Sequence, residues 1–138
     1  MISVHEVVHL EEPCSAGGTH EVTYVDAFGG VRHHVSGAIR CTRCGTVMEG
    51  DFGELPPDVR EAIIAAYGEW EVRVHPDVRI KAISAIKNLL GLSLDEARKR
   101  IRPNEPVFRG SHAEALRFAA HLVERGVKNA GVSVQRTS

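Results

Sequence analysis

Apolar positions recur with two different periods along this chain. In the first 54 residues the runs are short and alternating. Met1–Leu10 is rich in Val and His, Glu21–Ala27 sets Val22 and Tyr24 against Thr23 and Val25, and Val31–Ile39 repeats the pattern. These runs predict strands, with Phe28-Gly29-Gly30 supplying a hairpin turn between the last two. Gly17-Gly18, Gly45, Gly50 and Gly53 mark further turns. After Leu55-Pro56-Pro57-Asp58 the period changes. Val59, Ala62, Ile63, Ala66 and Tyr67 recur at helical spacing until Gly68.

The remainder reads as a strand, three helices and further strands. Trp70, Val72 and Val74 alternate with Glu71, Arg73 and His75, so Trp70–His75 is a half-buried strand broken by Pro76. Ile80, Ile83, Ile86 and Leu90 form one helical stripe closed by Gly91. Ser93-Leu94-Asp95-Glu96 and Ser111-His112-Ala113-Glu114 have the form of capping boxes. The first opens a short helix continued by Leu94, Ala97 and Ile101 and stopped before Pro103. The second opens one with Ala115, Leu116, Ala119, Leu122 and Val123 inward, ended by Gly126. Glu105–Arg109 supplies a middle strand and Ala130–Gln135 the last. The prediction is α+β: a β-rich module over 1–55, a linker helix over 56–69, and a small β-α-α-β-α-β sandwich over 70–138.

Charge sharpens that division. The 138 residues carry a formal net charge of −1, but residues 1–70 hold four arginines against eleven acids. Residues 71–138 hold thirteen basic residues against seven acids. A shift of this size marks two modules. At 43% hydrophobic and 25% charged, the chain has enough apolar residues to fold. No apolar run reaches the roughly 18 residues of a membrane span, and His5, Glu6 and His9 spoil Met1–Leu10 as a signal peptide. Three cysteines are a poor disulfide framework. The expectation is a cytoplasmic protein whose thiols serve metal or redox chemistry.

Cys41-Thr42-Arg43-Cys44-Gly45 is the strongest chemical signal. Two thiolates separated by two residues grip one tetrahedral ion from a single turn. Cys14 and His20 complete a set, Cys-x5-His-x20-Cys-x2-Cys, with the hairpin in its spacer. His33 and His34 are rival ligands; as strand neighbours they point to opposite faces, so at most one reaches a site. Three small buried cysteines, or a CxxC dithiol, are the competing readings. The pattern over 14–50 resembles a zinc ribbon, in which two ligand-bearing turns are joined by antiparallel strands. That resemblance implies structural Zn2+ held by Cys14, His20, Cys41 and Cys44. Four protein donors leave no open position for catalysis, and the ion would stabilise a segment too small to fold alone.

The second signal is a basic helix pair. Gly91-Leu92-Ser93-Leu94-Asp95-Glu96-Ala97-Arg98 follows a lysine-bearing helix. With the predicted element order, residues 70–136 resemble the C-terminal domain of the bacterial ribosomal large-subunit stalk protein. Its Gly-Leu-x-Leu-x-Glu-Ala-basic motif falls at this place. In that family the first two helices capture translational GTPases. The resemblance therefore places Ile80, Ile83, Lys87 and Arg98 on a partner-binding surface. The chain departs from the family at Ser84, where the family carries a lysine, and it shows neither the N-terminal dimerisation helices nor the Ala-rich hinge.

The same small fold resembles ClpS-type protease adaptors. Their acidic pocket is matched here only by His75-Pro76-Asp77, with a single acid. Catalytic signatures are sparse. Ser111 has no evident base, Asp77 no paired carboxylate, and His112 and His121 sit on a helix. Ala16-Gly17-Gly18-Thr19 lacks the lysine of a phosphate-binding loop. Three functions stay open. The first is a non-enzymatic module docking a protein partner through its basic helices. The second is a nucleic-acid (RNA) binding regulator, although Trp70, Phe108 and Phe118 fall at core-like positions rather than on a stacking platform. The third is a small immunity or inhibitor protein that neutralises an enzyme. On a basic helix pair, a merely solvated face is the plainer alternative.

Overall fold

Four strands form an antiparallel meander: β1 (Ser3–Pro13), β2 (Thr19–Gly29), β3 (Arg32–Arg40) and β4 (Val47–Phe52), in the order β1-β2-β3-β4. The structure is a computed structural model; it describes residues 3–14, 17–30, 32–41, 43, 47–52, 54–102 and 104–137. Register pairs Glu6 with Asp26, Val8 with Tyr24 and Leu10 with Val22. Asp26 pairs in turn with Val35. Because side chains alternate, Val8, Val22, Phe28 and Val35 share one face, and all four are buried. Gly50 lies inside β4 opposite Gly37, not in a turn.

An apolar sheet face needs a cover. Helix α1 (Pro57–Tyr67) provides it: Val59 and Ile63 are fully buried and pack with Val8, Val35 and Leu55. The helix of the segment 56–69, expected as a linker, is therefore docked within the first compact unit, Met1–Tyr67. At its end the Tyr67 hydroxyl donates to Val7 O at 2.9 Å and accepts from Val7 N at 3.1 Å, which caps the free edge of β1. Gly68, at φ 94°, lets the chain leave the helix.

The second unit, Gly68–Ser138, runs β5 (Trp70–Val74), α2 (Arg79–Leu90), α3 (Leu94–Arg100), β6 (Phe108–Gly110), α4 (His112–Glu124) and β7 (Val132–Arg136). The fold class is α+β, and this unit has the order β-α-α-β-α-β. Its sheet order is β6-β5-β7, fully antiparallel. The first strand is thus central, and the stretch expected over 105–109 contributes only a short edge. Both capping boxes form: Ser93 and Ser111 each accept from the N–H of a glutamate whose carboxylate returns to the serine N–H. Gly91 closes α2 in the left-handed region.

The core comprises Val72, Ile86, Ala97, Phe118, Leu122 and their neighbours. Here the inward stripe of α2 differs from the expected one. Ala82, Ile83, Ala85 and Ile86 are buried, whereas Ile80 is 87% exposed and Leu90 39%. At ~100° per residue, Ile80 lies roughly 140° from the centre of the buried arc. The alanines decide the orientation because small side chains allow close approach to the layer beneath. Val123, expected inward on α4, is likewise exposed, and so is Leu94 on α3.

Candidate metal centre

In a four-stranded meander, the β1–β2 and β3–β4 connections lie at the same end of the sheet. Cys14 sits just after β1, His20 near the start of β2 and Cys41 just after β3. The turn at Cys14 is closed by Cys14 N–H donating to Gly18 O at 2.8 Å and Gly17 N–H to Cys14 O at 2.9 Å. It packs directly against the next turn: a Cβ on Gly18 would stand 2.5 Å from Arg43 Cβ. Glycine is required there because another turn occupies the space.

The Cys14 and Cys41 sulfurs and a His20 ring nitrogen all lie within 4.8 Å of one another. Tetrahedral zinc with bonds of about 2.3 Å to sulfur sets its donors about 3.8 Å apart, so modest contraction brings these atoms to an ion. The two cysteines are unbridged and buried, Cys41 at 3% exposure. Two buried thiols and a half-buried imidazole in one cluster suit a borderline-soft cation. The Cys14, His20 and Cys41 cluster can hold a metal ion. Cys44, the fourth expected donor, lies outside the described residues.

His33 and His34 are not in the cluster. They open β3, beside the Gly29-Gly30 turn, while Cys41 follows its end, roughly 25 Å along a strand. His33 is instead joined through Nε2 to Asp26 Oδ1, both side chains being buried on the face that α1 covers. Asp26 and Glu6 were not singled out from the pattern, and both are buried. Their signal is parity: Asp26 falls in phase with Val22, Tyr24 and Phe28.

The expected partner-binding residues separate. Ile80, Lys87 and Arg98 are exposed on α2 and α3, but Ile83 belongs to the core at 8% exposure. Ile83 therefore packs into the core beneath the exposed residues of α2. Lys81, Lys99 and Arg100 are also exposed, and Leu90 and Leu94 add apolar area to the same helical pair.

Several polar residues outside these two groups have structural partners. Ser111 Oγ accepts from Glu114 N–H at 3.2 Å. His112 stacks on Trp70, ring centroids 3.6 Å apart, and burial pushes its pKa down. His121 Nε2 accepts from Arg117 Nε at 3.3 Å. His75 Nδ1 accepts from Asp77 N–H at 3.2 Å. Glu71, expected on the solvated side of β5, is buried. Gln135 Nε2 and Arg73 Nε each donate to it at 2.9 Å, holding its carboxyl below the ordinary value.

No helix among the described residues is long and apolar enough to cross a membrane. Comparison with protein-family models, with curated proteins and with solved structures gives no match.

Proposed function

We propose that this chain is a non-enzymatic interaction protein, stabilised by structural zinc, that docks a protein partner through the α2–α3 face. The convergence of Cys14, His20 and Cys41 on one point carries the metal reading. Cys44 completes the Cys-x2-Cys pair as the fourth donor. Four protein donors close a tetrahedral ion to substrate, so its role is to clamp two adjacent turns. Two features support docking on the second unit. Ile80, Leu90 and Leu94 are large apolar side chains left in solvent, and Lys87 and Arg98 flank them with positive charge. That chemistry suits an acidic segment carrying apolar anchors.

Purified protein is expected to contain about one zinc ion per chain. Cys44→Ser is expected to lose the ion and unfold the first unit. Retained metal with an unchanged melt would refute the metal reading. For docking, capture from native extract should yield a stoichiometric protein partner, released by the double charge reversal Lys87→Glu with Arg98→Glu at unchanged melting temperature. Recovery of nucleic acid instead, with affinity falling steeply in salt, would replace the docking reading.

A further inference from the structure

Three arginines that neither the metal cluster nor the proposed docking face uses meet at one end of the second unit. Arg73 is in β5, Arg79 opens α2 and Arg102 follows α3. Together with His75, Asn104 and Glu105 they line a cleft of about 350 Å³. One short stretch of backbone holds all three. Arg79 Nη2 donates to Ile101 O at 3.2 Å, Arg102 Nε to Lys99 O at 3.2 Å, and Arg73 Nη1 to Asn104 O at 2.9 Å. Asn104 adopts φ 65°, the one non-glycine residue in that region among those described.

The charges are unevenly matched. Arg73 is paired with Glu71, whereas Arg79 and Arg102 make no ion pair among the described residues. Glu105 is the one acid along the described wall, and the adjoining cleft adds Lys81 and Lys128 against Asp77. A concave site with surplus positive charge focuses its field on an anion.

Anchoring matters as much as charge. A free surface arginine loses rotamer entropy when it grips a ligand. Here one N–H of each guanidinium is already tied to a carbonyl, so the remaining donors are preorganised. Guanidinium forks match the oxygens of a phosphate. The volume is near the lower end of the ~300–1,000 Å³ of small-ligand sites. No Phe, Tyr or Trp lines the described wall, so stacked nucleic-acid bases have no platform.

We propose that this cleft binds the phosphate monoester of a small phosphorylated molecule, with Arg79 and Arg102 as the anion ligands and Arg73 bracing the wall. The test is an NMR titration of arginine Nε–H signals in the full-length protein, at constant ionic strength, with inorganic phosphate and then glycerol phosphate. Saturable one-to-one shifts at Arg79 and Arg102 are expected. Arg79→Gln and Arg102→Gln should each weaken binding about tenfold or more, and Arg117→Gln should leave it unchanged. Arg102→Lys, which keeps charge but not the fork, should fall between. Both replaced side chains are exposed, so the melts should match wild type; were Arg79→Gln to misfold, the Arg102 pair alone decides. Linear, unsaturating shifts, or equal affinity in Arg102→Gln and wild type, would overturn the proposal. So would tighter, steeply salt-dependent displacement by a mixed-sequence oligonucleotide.

Discussion

His112 and Trp70 lie with ring planes 5° apart, closing the entrance to α4 over the start of β5. Burial disfavours the charged imidazole, so the folded pKa lies below the ordinary 6.5. The unfolded chain therefore binds the proton first as pH falls. The contribution of this group to stability is whole above 6.5 and is lost as pH drops from there toward the folded pKa. Trp70 is the single tryptophan, which makes the effect observable. Melting followed by its emission should shift down between about pH 7.5 and about pH 5.5, and His112→Gln should flatten that dependence. An identical slope in the variant would show that other groups carry it. Glu71 has the opposite ordinary charge but the same sign of linkage. Its lowered pKa adds stability above its ordinary value of 4.5, lost at more acid pH.

At the scale of elements, the decisive contact is between two turns. Gly18 has no room for a methyl group because Arg43 Cβ stands 2.5 Å from where it would be. Unlike the end of a long side chain, that atom moves only with its backbone. Gly18→Ala must therefore part the turns that carry Cys14 and Cys41. The expected cost is about 1–3 kcal/mol, with metal affinity weakened in a chelator competition. Gly50→Ala, where nothing lies within 4 Å, is the control and should be nearly neutral in the same denaturation measurement. Helix α1 illustrates the complementary point. Its amphipathic stripe is short, yet Val59 and Ile63 close a face the strands cannot cover themselves, and Tyr67 seals an edge that would otherwise recruit another strand.

The whole molecule joins two units of unequal means. Among the described residues the first has a buried cluster of five, the second of twelve. A small core needs a staple, and the Cys14–His20–Cys41 cluster is where a metal would supply one. Chelation should therefore unfold the first unit selectively. Circular dichroism should lose β signal while Trp70 emission, which belongs to the second unit, stays constant. A single transition in both signals would mean that the units unfold together. The near-neutral total charge conceals ten acids against four arginines in the first unit, and thirteen basic residues against eight acids in the second. Positive charge is thus available both to the α2–α3 face and to the arginine cleft.

Local chemistry was enough to predict most elements. Strand-like runs located β1, β2, β3, β5 and β7 but not β4, the paired Ser and Glu residues located both capped helices, and Gly91 located the end of α2, because each depends on neighbours within a turn or two. The set Cys14, His20 and Cys41 was legible from its spacing around a glycine-marked hairpin. The same hairpin could have dismissed His33 and His34, which follow its turn and so lie at the far end. Only tertiary structure decided which apolar residues meet a neighbour. Ile80 is exposed and Ile83 buried because the alanines of α2 seat the helix, and β5 becomes central because β6 and β7 pair on either side of it. It also decided that Glu71 and Asp26 are buried, and that arginines 29 residues apart share a cleft. Periodicity specifies a face; what covers that face is settled by elements distant in the chain.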